Sequence, residues 1–79
     1  MSQVKQFIKE QIKTLAFKNA GDDEPLLKSK LLDSIVVVDL AVAIEEKYQI
    51  KIPFTEINSD NFETITAIVN FLERKGIVQ

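Results

Sequence analysis

Asp33 and Ser34 stand together where a turn-rich stretch gives way to an apolar helical pattern, which puts the Ser34 hydroxyl at a helix start. A serine there either caps the helix by accepting a backbone N–H or offers its oxygen for covalent chemistry. Nucleophilic catalysis needs a base, and this 79-residue chain has no His and no Cys. Their absence excludes a self-contained Ser-His-Asp hydrolase, a catalytic thiol, a disulfide framework and a thiolate zinc site. No Ser–Lys pairing is legible, because neither Lys28 nor Lys30 has a defined position relative to Ser34. Taken alone, Asp33-Ser34-Ile35 says no more than a helix cap does.

The elements that must position Ser34 follow from composition and period. With 79 residues, 46% apolar and 28% charged, the chain is expected to form one domain over residues 1–79. Two Gly and two Pro argue against a turn-rich β design, so the expected class is all-α. A net charge of −2 gives no basic footprint for nucleic acid. No apolar run approaches the roughly 20 residues of a spanning helix, and Met1-Ser2-Gln3-Val4-Lys5 lacks a signal-peptide core. A cytoplasmic monomer with no metal site is the expectation.

Val4, Phe7, Ile8, Ile12 and Leu15 predict a first amphipathic helix, with Ser2 as N-cap and an end near Ala16 or Phe17. Lys18 to Lys30 reads as a long connection broken by Pro25. A loop this long in so small a domain is functional or packed by its own side chains. Leu26, Leu27, Leu31 and Leu32 predict the packed kind.

The second helix should run from Asp33-Ser34 to about Tyr48, burying Val37, Leu40, Ala41, Ile44 and Tyr48. A short turn follows Pro53, with Phe54 and Ile57 expected to point inward. Asn61-Phe62-Glu63-Thr64 should lead into a last helix that buries Ile65, Ile68, Val69 and Leu72 and stops at Gly76.

The second helix is apolar on a second side as well. Ile35, Val38 and Val42 fall roughly opposite the core stripe, beside Asp39, Glu45 and Glu46. Scattered surface valines need no explanation, but a grouped patch directly behind a helix-start Ser favours partner docking. The acidic residues would steer a basic partner.

Leu31-Leu32-Asp33-Ser34-Ile35, the helix ending Ala43-Ile44-Glu45-Glu46-Lys47-Tyr48, then Ile52-Pro53, Asn61-Phe62-Glu63-Thr64-Ile65 and Ile68-Val69-Asn70-Phe71-Leu72 together resemble the phosphopantetheine-dependent carrier family. That family comprises the acyl and peptidyl carriers of fatty acid, polyketide and nonribosomal peptide synthesis, and the D-alanyl carriers. The resemblance covers Phe7 to Leu72 and implies an acyl-carrier-protein-like four-helix bundle: three main helices, one short helix and a long first loop.

It further implies that Ser34 receives 4'-phosphopantetheine from coenzyme A through a phosphopantetheinyl transferase, and that acyl or aminoacyl cargo rides the arm as a thioester to loading and biosynthetic enzymes. Asp33 matches the acidic neighbour that engages the transferase and its metal ion. Ile35, Val38 and Val42, with Asp39, Glu45 and Glu46, match the recognition helix. The arm's phosphodiester is expected among unpaired N–H groups at the positive end of the helix dipole.

Some residues depart from the family pattern. Val36 replaces a frequent acidic or polar residue, Lys30 stands where many carriers have Gly, Lys28 adds charge nearby, and the net charge of −2 is mild. These departures bring a dedicated aminoacyl or acyl carrier level with a fatty-acid one. Two other readings compete: an unmodified interaction module that binds through the second helix, and a serine enzyme for which no base is available. The expectation is a non-enzymatic carrier.

Overall fold

The computed structural model describes residues 3–77, so the Ser2 cap lies outside the described residues. The order is α1 (Gln3–Ala16), α2 (Ser34–Tyr48), a single 3-10 turn (Phe54–Glu56), α3 (Ser59–Phe62) and α4 (Ile65–Arg74). The described residues contain helices and no strand, as an all-α carrier-like bundle requires.

Each long helix forms because its apolar residues share one face, and the three faces meet. Val4, Ile8 and Ile12 of α1, Val37, Leu40, Ala41 and Ile44 of α2, and Ile65, Ile68, Val69, Phe71 and Leu72 of α4 make one core. α1 packs on both α2 and α4. Tyr48 is only half-buried, its ring meeting Phe7 edge-on at 5.8 Å. Phe71 adds a buried ring beyond the expected α4 stripe, 5.7 Å from Phe62.

Helix ends follow local chemistry. α1 stops where Phe17 turns left-handed (φ 58) and its N–H bonds the Lys13 carbonyl at 2.9 Å. α4 stops at Gly76 (φ 92): the Gly76 N–H reaches the Glu73 carbonyl and the Ile77 N–H reaches the Leu72 carbonyl, both at 3.0 Å. Those two bonds are a Schellman closure, which favours a residue without Cβ.

Two expectations need correction. Asn61 and Phe62 belong to the separate α3, capped by Asn58, while Thr64 caps α4 by accepting the Ala67 N–H at 2.9 Å. Phe54 does not point inward; it is 77% exposed. Pro53 starts one 3-10 turn and Ile57 leaves it at φ −87, ψ 80, so the two side chains do not share a face. Ile52 and Ile57 supply this corner's inward side chains.

The long connection is packed, as its leucines predict. Leu26 and Leu32 are buried in the core, with Leu27 and Leu31 against it. Polar ties fix its path. The Asp22 carbonyl accepts the Thr66 N–H and hydroxyl at 3.0 and 3.1 Å, while the Asp22 carboxylate meets Lys5 and Lys9, each at 2.8 Å.

The hydrogen bond from Lys5, then that from Lys9, lowers the Asp22 pKa from 3.8 to about 2. A carboxylate whose pKa falls on folding stabilises the fold above its unfolded value and loses that contribution as pH drops toward the folded one. Acidification from 3.8 towards about 2 should therefore release this clamp. Faster amide exchange around Gly21–Asp23 across that window, absent in Asp22→Asn, is the expected readout. An Asp22 carboxyl titrating at its ordinary value by NMR contradicts it.

Candidate functional site

The site is the start and outer face of α2. Asp33 takes the N-cap position in extended conformation (φ −86, ψ 179), and its Oδ1 accepts the N–H of Ile35 at 3.0 Å and of Val36 at 2.8 Å. The cap role therefore falls to Asp33 and leaves the exposed Ser34 hydroxyl outside it. The expected cluster of unpaired N–H groups is corrected accordingly: those of Ile35 and Val36 are already bonded, because the neighbouring carboxylate reaches them first. The dipole field of α2 remains, and it favours negative charge at this end.

Upstream, Lys30 sits at φ 60. This left-handed conformation costs an L-residue about 1–2 kcal/mol, and Gly takes it freely. The position thus keeps a glycine-like backbone without glycine. Its N–H bonds the Leu27 carbonyl at 3.1 Å, and the Leu32 N–H bonds the Leu26 carbonyl at 3.0 Å, so the turn before Asp33 is closed on itself.

At about 100° per residue, Ile35, Asp39, Val42 and Glu46 fall within roughly 60° of one another along about 16 Å of helix. They form one outward stripe: Ile35 is 72% exposed, Val42 43%, and both acids are exposed. Val38 and Glu45 lie about 60–80° round from Ile35 on one flank. Val38 is half-buried against the core. The Glu45 carboxylate accepts the Ile52 N–H at 2.6 Å and so fixes the chain leaving α2. Of the seven recognition candidates, Asp33 is the α2 cap, Ile35, Asp39, Val42 and Glu46 come together on one face, and Val38 and Glu45 lie beside it.

An open cleft of about 370 Å³ continues the stripe past the helix end, lined by Val42, Glu45, Glu46, Gln49, Ile50 and Lys51. Gln49, Ile50 and Lys51 were not among the sequence candidates. The spacing Val42, Glu46, Gln49 (i, i+4, i+7) is the signal that could have extended the face to the helix end. No cluster of three or more potential metal ligands occurs among the described residues, and no described helix is long and apolar enough to cross a membrane.

A sequence model of the family described as "Phosphopantetheine attachment site" matches residues 2–72. The chain belongs to this phosphopantetheine-dependent carrier family. Its cofactor is covalently attached 4'-phosphopantetheine, and an exposed serine hydroxyl at a helix start, free of the capping duty, fits an arm joined through a phosphodiester. Similar carriers include the D-alanyl carrier proteins of Streptococcus pyogenes serotypes M5 (strain Manfredo), M49 (strain NZ131) and M1. Each is 39% identical over 51 residues, 65% of this chain and 65% of the relative. The chain thus spans about two-thirds of the length of these relatives. It is also similar to a chain in the solved "Crystal structure of FAD-dependent dehydrogenase", at 30% identity and TM-score 0.68. That match covers 87% of this carrier and 97% of the other chain, which is therefore itself of about this size.

Proposed function

We propose that Ser34 Oγ is the attachment atom for the arm, and that residues 1–79 act as a single carrier domain for an aminoacyl or short acyl group, with D-alanine the cargo its relatives favour. The observation that carries this reading is the division of labour at α2: Asp33 makes both capping bonds and Ser34 is exposed beside it. When bound, the arm supplies a thiol that holds cargo as a thioester. The chain's own residues hold and present it. Asp33 orders the helix start, and with one oxygen engaged by two N–H groups it keeps a second for the transferase. The α2 dipole favours the phosphodiester charge by about 0.3–1 kcal/mol.

Catalysis on the cargo belongs to partners, and the reading includes a monomer working in the cytoplasm. Docking uses the stripe of Ile35, Asp39, Val42 and Glu46, flanked by Val38 and Glu45. The FAD-dependent dehydrogenase structure supports a second reading of the partner: a flavin dehydrogenase that oxidises the carried group. Here two electrons and two protons would pass from the cargo to bound FAD.

Peptide mapping after treatment with a broad-specificity transferase and coenzyme A should find the arm on the Ser34 peptide, and intact mass from the native host should report the cargo. An arm on any other peptide sinks the assignment. Val42→Asp replaces one of the stripe's two apolar side chains with a charge and leaves the core untouched. It should weaken cargo loading about tenfold or more, the effect of roughly 1.4 kcal/mol lost at an interface anchor. Loading equal to wild type would remove this stripe from the docking surface.

A further inference from the structure

We infer that Glu63, 29 positions from Ser34 in sequence, is a positioning residue for arm attachment, acting through residues 26–32; the inference rests on Ser34 being the attachment residue. Glu63 lies between α3 and α4 and takes three successive backbone donors from the long loop. Its carbonyl accepts the Leu26 N–H at 2.6 Å, and its Oε2 accepts those of Leu27 at 3.2 Å and Lys28 at 3.1 Å. Carboxylate acceptors make hydrogen bonds roughly twice as strong as neutral ones. One side chain thus caps the turn that leads to the attachment serine.

The chain of contacts from Glu63 to Ser34 is short. The Leu26 carbonyl accepts the Leu32 N–H, which closes residues 26–32, and the next residue is the helix cap Asp33. Leu26 and Leu32 are buried at 0% and 2% exposure, so both ends of the turn are also pinned by packing. Between them Lys30 is held left-handed, a conformation that persists in an L-residue only when its surroundings impose it. Without Glu63 the Leu27 and Lys28 donors lose their partner, the Lys30 strain is no longer opposed, and the turn samples other conformations. A transferase that recognises Asp33 and Ser34 in one geometry then meets that geometry in only a fraction of molecules, which raises its apparent KM by the inverse of the fraction.

Steady-state arm transfer separates this role from general stabilisation. Glu63→Ala should raise the KM for the unmodified carrier about tenfold, equivalent to ~1.4 kcal/mol and close to the lower end of what one hydrogen bond to a charged group contributes, while kcat stays within about twofold. Glu63→Gln keeps a carbonyl oxygen that accepts both N–H groups and should restore the KM to within about threefold of wild type.

Two further measurements accompany the kinetics. Amide exchange at Leu27, Lys28 and Leu32 in the unmodified protein should quicken in Glu63→Ala and not in Glu63→Gln. Ile12→Val removes a core methylene without altering these bonds, and should lower the melting temperature without raising the KM. A KM in Glu63→Ala equal to wild type, with Ser34→Ala inert, overturns the positioning role and leaves the attachment reading standing. A KM raised equally in Ile12→Val reduces the effect to global stability and also overturns it. Arm transfer to Ser34→Ala overturns the attachment reading and takes the Glu63 role with it. If Glu63→Ala does not fold, Glu63→Asp, one methylene short, carries the test: an unchanged KM there is equally decisive.

Discussion

Ser34→Ala should end arm attachment completely while leaving the fold intact. The loss is total because the hydroxyl oxygen is the atom that would form the bond, and Ala offers no substitute. The fold survives because Asp33, not Ser34, makes the capping bonds to Ile35 and Val36, at 3.0 and 2.8 Å. Exposed helix positions also favour Ala slightly over Ser, by a few tenths of a kcal/mol. Intact mass after transferase treatment checks the first half, and thermal unfolding of unmodified protein checks the second. A modified Ser34→Ala chain refutes the assignment of the residue. A Ser34→Ala chain that unfolds markedly earlier shows instead that the serine carries part of the cap. The matched variant Asp33→Ala has the opposite signature: it should cost about 1 kcal/mol through the lost cap.

The difference between these two neighbours marks the limit of what the sequence alone specified. An Asp-Ser pair before an apolar-periodic run says that a helix starts there, but both residues are good caps and the pattern does not choose between them. The three long helices were legible because each carries its own 3.6-residue stripe, a local property that survives folding. What was not legible is long-range and polar. Glu63 and Asp22 look like ordinary surface acids, yet they bind backbone and side-chain groups 13 to 44 positions away. Periodicity is silent about which carboxylate meets which N–H.

Glu45 is a case of its own. Its place beside Glu46 reads as surface charge, and only the path of the chain after Gln49 shows that it anchors Ile52. Phe54 fails for a related reason: an apolar side chain in a three-residue turn has no period to orient it.

Phe62→Ala should be the most damaging core substitution in α3. α3 has four residues, far below the roughly 12–15 at which an isolated helix holds together in water. Its order therefore depends on side chains it buries. Phe62 is fully buried, with its ring centroid 5.7 Å from that of Phe71. Truncating a buried Phe to Ala costs about 3–5 kcal/mol in lost transfer energy and cavity. A domain of this length has a total stability of only about 4–12 kcal/mol at typical per-residue values. The variant should thus lose a quarter or more of its stability, read as a fall of roughly 1–5 M in the urea midpoint.

The consequence reaches the arm site, because Glu63 follows Phe62 directly and holds residues 26–28 by three backbone donors. Once α3 loosens, those amides should exchange as fast as the α3 amides do, whereas the central α2 amides of Leu40 and Ala41 keep more protection. A midpoint shift below about 0.5 M would mean that the cavity collapses and that α3 is ordered by its caps rather than by this ring. Equal protection loss in α2 and in residues 26–28 would mean that the bundle opens as one unit, with no separate path from α3 through Glu63 to Ser34.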